Sequence, residues 1–262
     1  MKKLIKIVIA MFMSLSLVAC SSSDSTSTSD LEYVKEKGTL IVGITDFEPM
    51  DYQENGEWIG FDADMAKAFA DYIDVDVEFV EIDWDNKIFE LNSKSIDCVW
   101  NGMTLTDEVK NSMSTSNAYC DNAQVVVCSK EIADSITSTQ SIKDLQIAVE
   151  AGSAAAEILD SLDIKYTALG SQADALMSVA AQTSDICVID ALMAGAMIGE
   201  GTSYPDLVNT IALNSEQYGV GFRTDSDLTA KLNEFFKTSY DDGTIMNIAK
   251  TYGIQVSIIE QK

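Results

Sequence analysis

The chain has no histidine and a single arginine, Arg223. The first absence removes the usual general base at neutral pH and the commonest metal ligand. Any catalysis would have to run on carboxylates, lysine, tyrosine or thiols. Basic residues of every kind are scarce, with 17 Lys and Arg against 42 Asp and Glu in 262 residues. Three of those lysines (Lys2, Lys3 and Lys6) lie in an N-terminal leader, so the rest of the chain is more acidic still. Such a surface repels phosphates, which excludes nucleic acid as a partner. The plain reading of the acidity is solubility, and a preference for cationic ligands is the sharper alternative. No stretch after the leader reads as a transmembrane segment. Cys98, Cys120, Cys128 and Cys187 match no metal-ligand spacing. Three of these four sit in apolar, strand-like runs and read as buried thiols. A disulfide among them stays open, because spacing alone cannot pair them. Neither a metal nor a cofactor is expected.

What is present begins with residues 1–20, MKKLIKIVIAMFMSLSLVAC. Lysines followed by a short apolar run form an export signal rather than a folded domain. Residues 21–30, all Ser, Thr or Asp, read as a flexible tether. The whole chain is 47% apolar, enough for one or two ordinary cores.

The stretch Trp84–Glu108, WDNKIFELNSKSIDCVWNGMTLTDE, carries the clearest purpose. A short amphipathic helix follows Trp84, with Ile88, Phe89 and Leu91 able to face inward. The strand Ile96–Trp100 then ends in Asn101, Gly102 and Thr104, and a helix start follows. Open α/β sheets bind ligands just past the carboxyl ends of their strands. A glycine and hydroxyls there offer free N–H groups and side-chain donors, next to a helix N-terminus. Nothing in the stretch pairs a nucleophile with a base, so it reads as a place to hold something.

Around it, Gly38–Thr45 reads as a strand, Gln53–Glu57 as a hydrophilic turn and Gly60–Ile73 as a helix with Asp62 as its N-cap. Val75–Ile82 and Gln124–Cys128 read as strands. A second set follows: strands over Leu145–Glu150, Ile164–Leu169 and Asp185–Ile189, with helices over Ala154–Ser161 and Gln172–Ala181 and another from Ala191. Tyr218–Arg223 is a strand, and Leu228–Tyr240 and Thr244–Tyr252 are closing helices. Two successive strand–helix–strand–helix–strand runs predict two doubly wound α/β lobes. The expected division is lobe one over 31–124 and 219–262, and lobe two over 125–218. Chain crossings near 124–129 and 213–220 would make a two-strand hinge. A cleft between such lobes is a usual place for a small molecule. Asp190, a charged residue just after the apolar strand ICVI, wants a partner or solvent. It could contact a ligand, cap the helix from Ala191, or do both.

The motifs GTLIVGIT, FEPMDY, GEWIGFDADMAKAFA, the Trp84–Glu108 stretch, QVVVC, AVEAGSAAAE, DICVIDALMA, YGVGFR and DDGTIMNIAKTYG follow one another in a specific order and spacing. Together they resemble the extracellular solute-binding proteins of ABC importers, family 3, over residues 36–253. The resemblance implies a bilobed fold of the periplasmic-binding-protein type II that closes on a polar amino acid or similar solute and delivers it to a membrane permease. It also implies a monomer. Leu17–Cys20 resembles a lipobox, with Cys20 lipidated, so that the exported protein is anchored to the outer face of the cell membrane. Position by position, Phe47 and Trp84 fall where the family flanks its ligand. Asn101, Gly102 and Thr104 fall where backbone and hydroxyl groups hydrogen-bond it. Gly152, Ser153 and Ala154 match a helix-start contact for a carboxylate, and Asp190 matches the acid that pairs with an ammonium. Asp46 stands near another family acid, in a loop shorter than the common form.

One departure matters. Val109 stands where the family has an arginine that grips the α-carboxylate with two parallel hydrogen bonds, a geometry lysine does not copy. Either helix-start N–H groups at Thr104–Thr106 and Ser153–Ala154 hold the carboxylate, or the solute lacks one and is an amine or other cation. Two other classes stand beside transport. One is a ligand-sensing ectodomain. The other is an enzyme on the same fold, resembling cyclohexadienyl dehydratase, for which Asp46, Glu48 or Glu150 could serve as the acid. None of these three acids has a partner base visible in the sequence.

Overall fold

The computed structural model describes residues 29–262. The expected export signal, the expected lipidation site Cys20 and most of the expected tether lie outside the described residues. The tether's last two positions do not. Ser29 accepts a hydrogen bond from Glu32 N and caps a helix over Asp30–Lys37. Asp30 forms an ion pair with Arg223, so the folded part begins earlier than expected.

Two five-stranded sheets organise the chain, and they share one strand order. In the first, Thr39–Ile44 lies between Asp76–Glu81 and Cys98–Val99, parallel to both. In the second, Ile147–Glu150 lies between Thr167–Leu169 and Ile186–Asp190, again parallel to both. Each sheet is completed by antiparallel strands. Gly221–Phe222 and Ser114–Thr115 extend the first. Gln124–Ser129 and Leu207–Ala212 extend the second. The molecule is therefore two α/β lobes of like topology, each with a strand order that reverses beside its first strand. Between them runs a short ladder of Cys120–Asn122 against Glu216–Tyr218.

The first lobe's core is aromatic. Phe69, Trp100, Tyr119, Phe235 and Phe236 pack edge-to-face or tilted at 5.5–6.3 Å between centroids. The second lobe is filled by aliphatic residues such as Val126, Ile142, Val149, Leu159 and Val188. The lone arginine ties the first lobe together behind the sheet: Arg223 pairs with both Asp30 and Asp97. All four described cysteines are buried and unpaired. Among the described residues no helix is long and apolar enough to cross a membrane.

Several local readings need correcting. Helix Phe61–Tyr72 starts after Gly60, and Asp62 does not cap it. The Asp62 side chain is fully buried and bonds across to the neighbouring loop instead. Gln53–Glu57 is the tip of a hairpin, with Tyr52–Glu54 paired to Glu57–Ile59. The long strand expected over Tyr218–Arg223 is split, because Glu216–Tyr218 belongs to the inter-lobe ladder and only Gly221–Phe222 to the sheet. Phe89 is 69% exposed rather than inward-facing. Its helix, Lys87–Asn92, buries Lys87 and Leu91 instead.

Candidate functional site

The parallel strands of the two lobes end facing one another, and the residues just past those ends line an enclosed cavity. In the first lobe the strand Cys98–Val99 runs on to Asn101. Its side-chain Oδ1 accepts from Thr45 N at 2.9 Å and its Nδ2 donates to Thr45 Oγ1 at 2.7 Å. Asn101 thereby clamps the ends of two adjacent strands together. Gly102 follows with φ of +54°, a conformation L side chains avoid. A Cβ there would also sit 2.5 Å from the Phe47 ring. Its N–H donates to Asp62 Oδ2 at 2.6 Å, and Tyr119 OH donates to the same oxygen at 2.7 Å.

Beyond Gly102 the backbone is committed to the return crossing. Gly219 N donates to Met103 O and Leu105 N to Gln217 O, each at 2.9 Å. Thr106 N bonds Thr104 O, also at 2.9 Å. Thr104–Thr106 is therefore not a free helix start. The helix is Asp107–Ser112, capped by the Thr106 hydroxyl.

The second lobe contributes two strand ends and one helix start. Strand Ile147–Glu150 delivers Glu150. Gly152, with φ of +66°, then turns the chain so closely against Asp85 of the first lobe that a Cβ would meet Asp85 Oδ1 at 2.6 Å. Ser153 caps helix Ala154–Ser161 by accepting from Ala156 N at 3.2 Å. The N–H groups of Ala154 and Ala155 precede the helix's own ladder. Strand Ile186–Asp190 delivers Asp190, whose side chain occupies the N-cap position of the next helix without bonding it.

Asp190 instead gathers four donors. Gln172 Nε2 reaches Oδ2 at 2.5 Å, and Tyr218 OH, Gln124 Nε2 and Asn122 Nδ2 all reach Oδ1. Burial, then the nearby Glu216, push its carboxyl up to about 7, while the bonds from Tyr218, Gln172 and Gln124 work the other way. Glu216 shares the donors Asn122 and Gln124 and also accepts from Thr104 Oγ1 at 2.9 Å. One polar network thus runs from the first lobe through the connecting ladder into the second.

Three groups that the sequence reading did not single out as ligand contacts define the cavity's charge. Lys87 is 5% exposed, and its ammonium donates to Trp84 O at 3.3 Å and to Gly152 O of the opposite lobe at 2.9 Å. It also lies 5.0 Å from the centroid of the Trp84 indole. Burial pushes this lysine down from its ordinary value. Glu150 is almost fully buried, and its Oε1 has no hydrogen-bond partner. Burial, then Asp190, raise its carboxyl to about 8, against an opposing pull from Lys87. Glu157, exposed, accepts from Thr106 Oγ1 across the cleft at 3.2 Å. In sequence Lys87 looked like an ordinary helix lysine, and Glu150 was considered only as a catalytic acid. Their burial against the opposite lobe marks them as cavity groups.

Trp84, Asn101, Gly102, Thr104, Gly152, Ser153, Ala154 and Asp190 all line this cavity, together with Lys87, Val109, Gln124, Glu150, Glu157 and Gln172. Phe47 does not: it is 1% exposed beneath Gly102, edge-on to Tyr218 at 6.3 Å. Asp46 and Glu48 also lie away from the cavity lining. The enclosed space is about 20 Å³, room for about one water molecule. Past the Thr106–Glu157 contact a wider groove of about 580 Å³ opens outward, sharing Thr104, Thr106, Ala154 and Glu157 with the cavity. With Lys87 bonded to Gly152 and Thr106 to Glu157, the lobes are closed on each other. A solute has to part them to enter.

A two-lobed α/β protein with a polar, charge-bearing cavity at facing strand ends belongs to the class of small-solute receptors. Residues 40–255 match the model of the bacterial extracellular solute-binding proteins, family 3, and the chain belongs to that family. It is 29% identical over 262 residues to the arginine-binding extracellular protein ArtP of Bacillus subtilis (strain 168), covering 96% of this chain and 98% of that one. Among solved structures it is similar to a mutant of ArgBP from T. maritima, with a TM-score of 0.80 and 29% identity over 85% of this chain and 98% of that one. It is also similar to the ancestral amino acid-binding protein AncCDT-1, a precursor of cyclohexadienyl dehydratase, with a TM-score of 0.78 and 29% identity over 86% of this chain and 99% of that one.

Proposed function

We propose that this protein is the substrate-capturing lipoprotein of an ABC importer, tethered to the outer face of the membrane through Cys20. It closes its two lobes on an amino acid or amino-acid-like solute and presents the closed form to a permease. The observation that carries this reading is the charge arrangement of the cavity. Buried Lys87 belongs to the first lobe, and buried Glu150 and Asp190 belong to the second. A solute with a carboxylate and an ammonium would bridge the lobes and hold them shut. Trp84, Asn101, Gly102, Thr104, Gly152, Ser153, Ala154 and Asp190 are the proposed contacts, with Phe47 supporting Gly102 from below.

Lys87 stands in for the arginine that Val109 replaces. Its ammonium is a single point of charge rather than a planar fork, so it grips a carboxylate with less directional constraint. The N–H groups at Ser153–Ala154, at a helix N-terminus, add to that grip. Catalysis is the weaker reading. Of the three acids considered for it, only Glu150 lines the cavity, and the one amine there, Lys87, gives its hydrogen bonds to the carbonyl oxygens of Trp84 and Gly152.

Thermal unfolding of the purified protein against the amino acids, polyamines and small organic ions tests the reading, because a ligand that binds only the folded state raises the apparent melting temperature. A rise with an α-amino acid, absent with its decarboxylated amine, is the expected result. Binding of the amine alone would discard the amino-acid reading. Release of aromatic product from prephenate or arogenate would replace it with the enzyme. Cys20→Ala should free the protein from the membrane fraction, and continued retention there would discard the lipid anchor.

A further inference from the structure

Buried ionisable groups are ordinarily satisfied by partners, and each exception asks for an explanation. The cavity's acids divide sharply on this test. Asp190 is held by four neutral donors, and its neighbour Glu216 also accepts four. Glu150 lines the same cavity, 3% exposed, with Oε1 unpartnered. The one cation available does not answer it. Lys87 is held over the Trp84 ring and gives two of its three donors to carbonyl oxygens, those of Trp84 and Gly152, and none reaches Glu150 Oε1.

Charge counting points the same way. Three acids line the cavity, Glu150, Asp190 and Glu157, against one lysine, Lys87. That excess favours a solute of net positive charge over one of zero net charge when the lobes close. With the ammonium of an amino acid directed to Asp190 and its carboxylate to Lys87, a group remains to be matched to Glu150, and that group is a second cation.

We infer that Glu150 receives a positively charged side chain of the solute and so makes the protein selective for cationic amino acids. This rests on the amino-acid reading above. The ligand's ammonium or guanidinium supplies the donors that Glu150 lacks, and lobe closure seals the pair from water.

The test compares solutes of nearly equal shape that differ in that charge: L-arginine with L-citrulline, L-lysine with L-norleucine, and L-ornithine with L-norvaline. Titration calorimetry on the purified protein should show at least one cationic member bound tenfold or more tightly than its neutral counterpart. In Glu150→Gln, which keeps the side chain's shape, that preference should collapse to within about threefold, with the folded near-ultraviolet spectrum retained. The assignment is overturned if the neutral members bind as well as the cationic ones, if no cationic amino acid binds, or if the preference survives in Glu150→Gln. Tight binding of a neutral amino acid overturns only the Glu150 assignment, and the receptor for amino acids stands. Failure of every amino acid to bind, with agmatine bound instead, overturns the amino-acid reading as well.

Discussion

The two lobes bring opposite chemistry to one cavity, although they share a strand order. At the first lobe's strand ends the polar groups are already spoken for. Asn101 is bonded twice to Thr45, and the Gly102 N–H is bonded to Asp62. The charged group that lobe brings to the cavity is a cation, Lys87. The second lobe ends its two strands in acids, Glu150 and Asp190. The first lobe has buried acids too, but they stand behind the floor rather than in it. Burial and the neighbouring Asp62 hold the Asp51 carboxyl well above its ordinary range, and Asp62 itself is raised to about 7 by burial. Asp62 carries the Gly102 loop, so its task is structural. The difference teaches that burial alone does not mark a binding acid. Position at a strand end, facing the other lobe, separates Glu150 from Asp62.

The sharpest break in this comparison comes from deleting the saturated acid rather than the orphaned one. Asp190→Ala leaves donors on Gln172, Tyr218, Gln124 and Asn122 without their acceptor. Losses of about 1–3 kcal/mol for each stranded buried group, not fully additive, give about 3–5 kcal/mol. Melting by circular dichroism should fall by roughly 10 °C for a domain of this size. Glu150→Gln should cost nothing measurable at neutral pH. If the two variants melt alike, the distinction between them is wrong.

The pH dependence sharpens the same point. The folded-state values of Glu150 (about 8) and of Asp190 and Asp62 (about 7) all lie above their ordinary values of 4.5 and 3.8. The folded protein therefore holds these protons more tightly than the unfolded chain does. Stability conferred by the protonated forms is complete below about pH 4 and is lost as pH rises through 7 to 8. Without ligand, the melting temperature should decline steadily between pH 5 and pH 9. Glu150→Gln removes one of these contributions, worth about 1–3 kcal/mol at the alkaline end. Its melting curve should overtake the wild type's above pH 8. A flat profile in the wild type would mean that these carboxyls stay ionised in the fold.

Much of the architecture could be read from the chain, because apolar strands alternating with helical stripes dictate α/β lobes whatever the details. The readings that failed did so for local reasons. Asp62 has the residue type of an N-cap and sits near a helix start, but its carboxylate finds better donors in Gly102 N and Tyr119 OH across the core. Gly60 lets the helix begin without a side-chain cap. The Thr104–Thr106 segment looked like a helix start because hydroxyls precede Asp107, yet the return crossing pairs with it and takes the Leu105 N–H, and the Thr106 N–H turns back to Thr104 O. Strand-end positions such as Trp84, Asn101 and Asp190 could be placed because they follow apolar runs. Lys87 could not, since a lysine three residues past Trp84 in a helix reads as solvated until the opposite lobe is seen to cover it. Phe47 shows the converse: an aromatic in a post-strand loop reads as ligand-facing, but the glycine above it draws it into the core.

The two glycines at the strand ends separate lobe stability from lobe closure. Each has positive φ, so an alanine costs about 1–2 kcal/mol in backbone strain at either place. At Gly102 the new Cβ also drives into Phe47 within the first lobe, and overpacking adds about 1–3 kcal/mol. Gly102→Ala should therefore lower the melting temperature more than Gly152→Ala does. At Gly152 the new Cβ meets Asp85, which belongs to the other lobe, so the clash vanishes when the lobes part. Gly152→Ala should fold, show a larger radius of gyration by solution scattering, and fail to compact when a bound amino acid compacts the wild type. Normal compaction would mean that the Asp85–Gly152 approach is not part of the closed state.

The smallest effect is expected at Phe89. A helix that turns Lys87 and Leu91 inward, four residues apart on one face, must turn Phe89 outward, and this side chain is 69% exposed. Surface substitutions away from special features fall within about 0.5 kcal/mol. Phe89→Ser should leave the melting temperature and the affinity for solute unchanged, whereas Leu91→Ser on the buried face should unfold the helix. A drop in affinity from Phe89→Ser would mean that this helix rolls on solute entry. In that case Lys87 would not keep its place at the cavity between the open and closed forms.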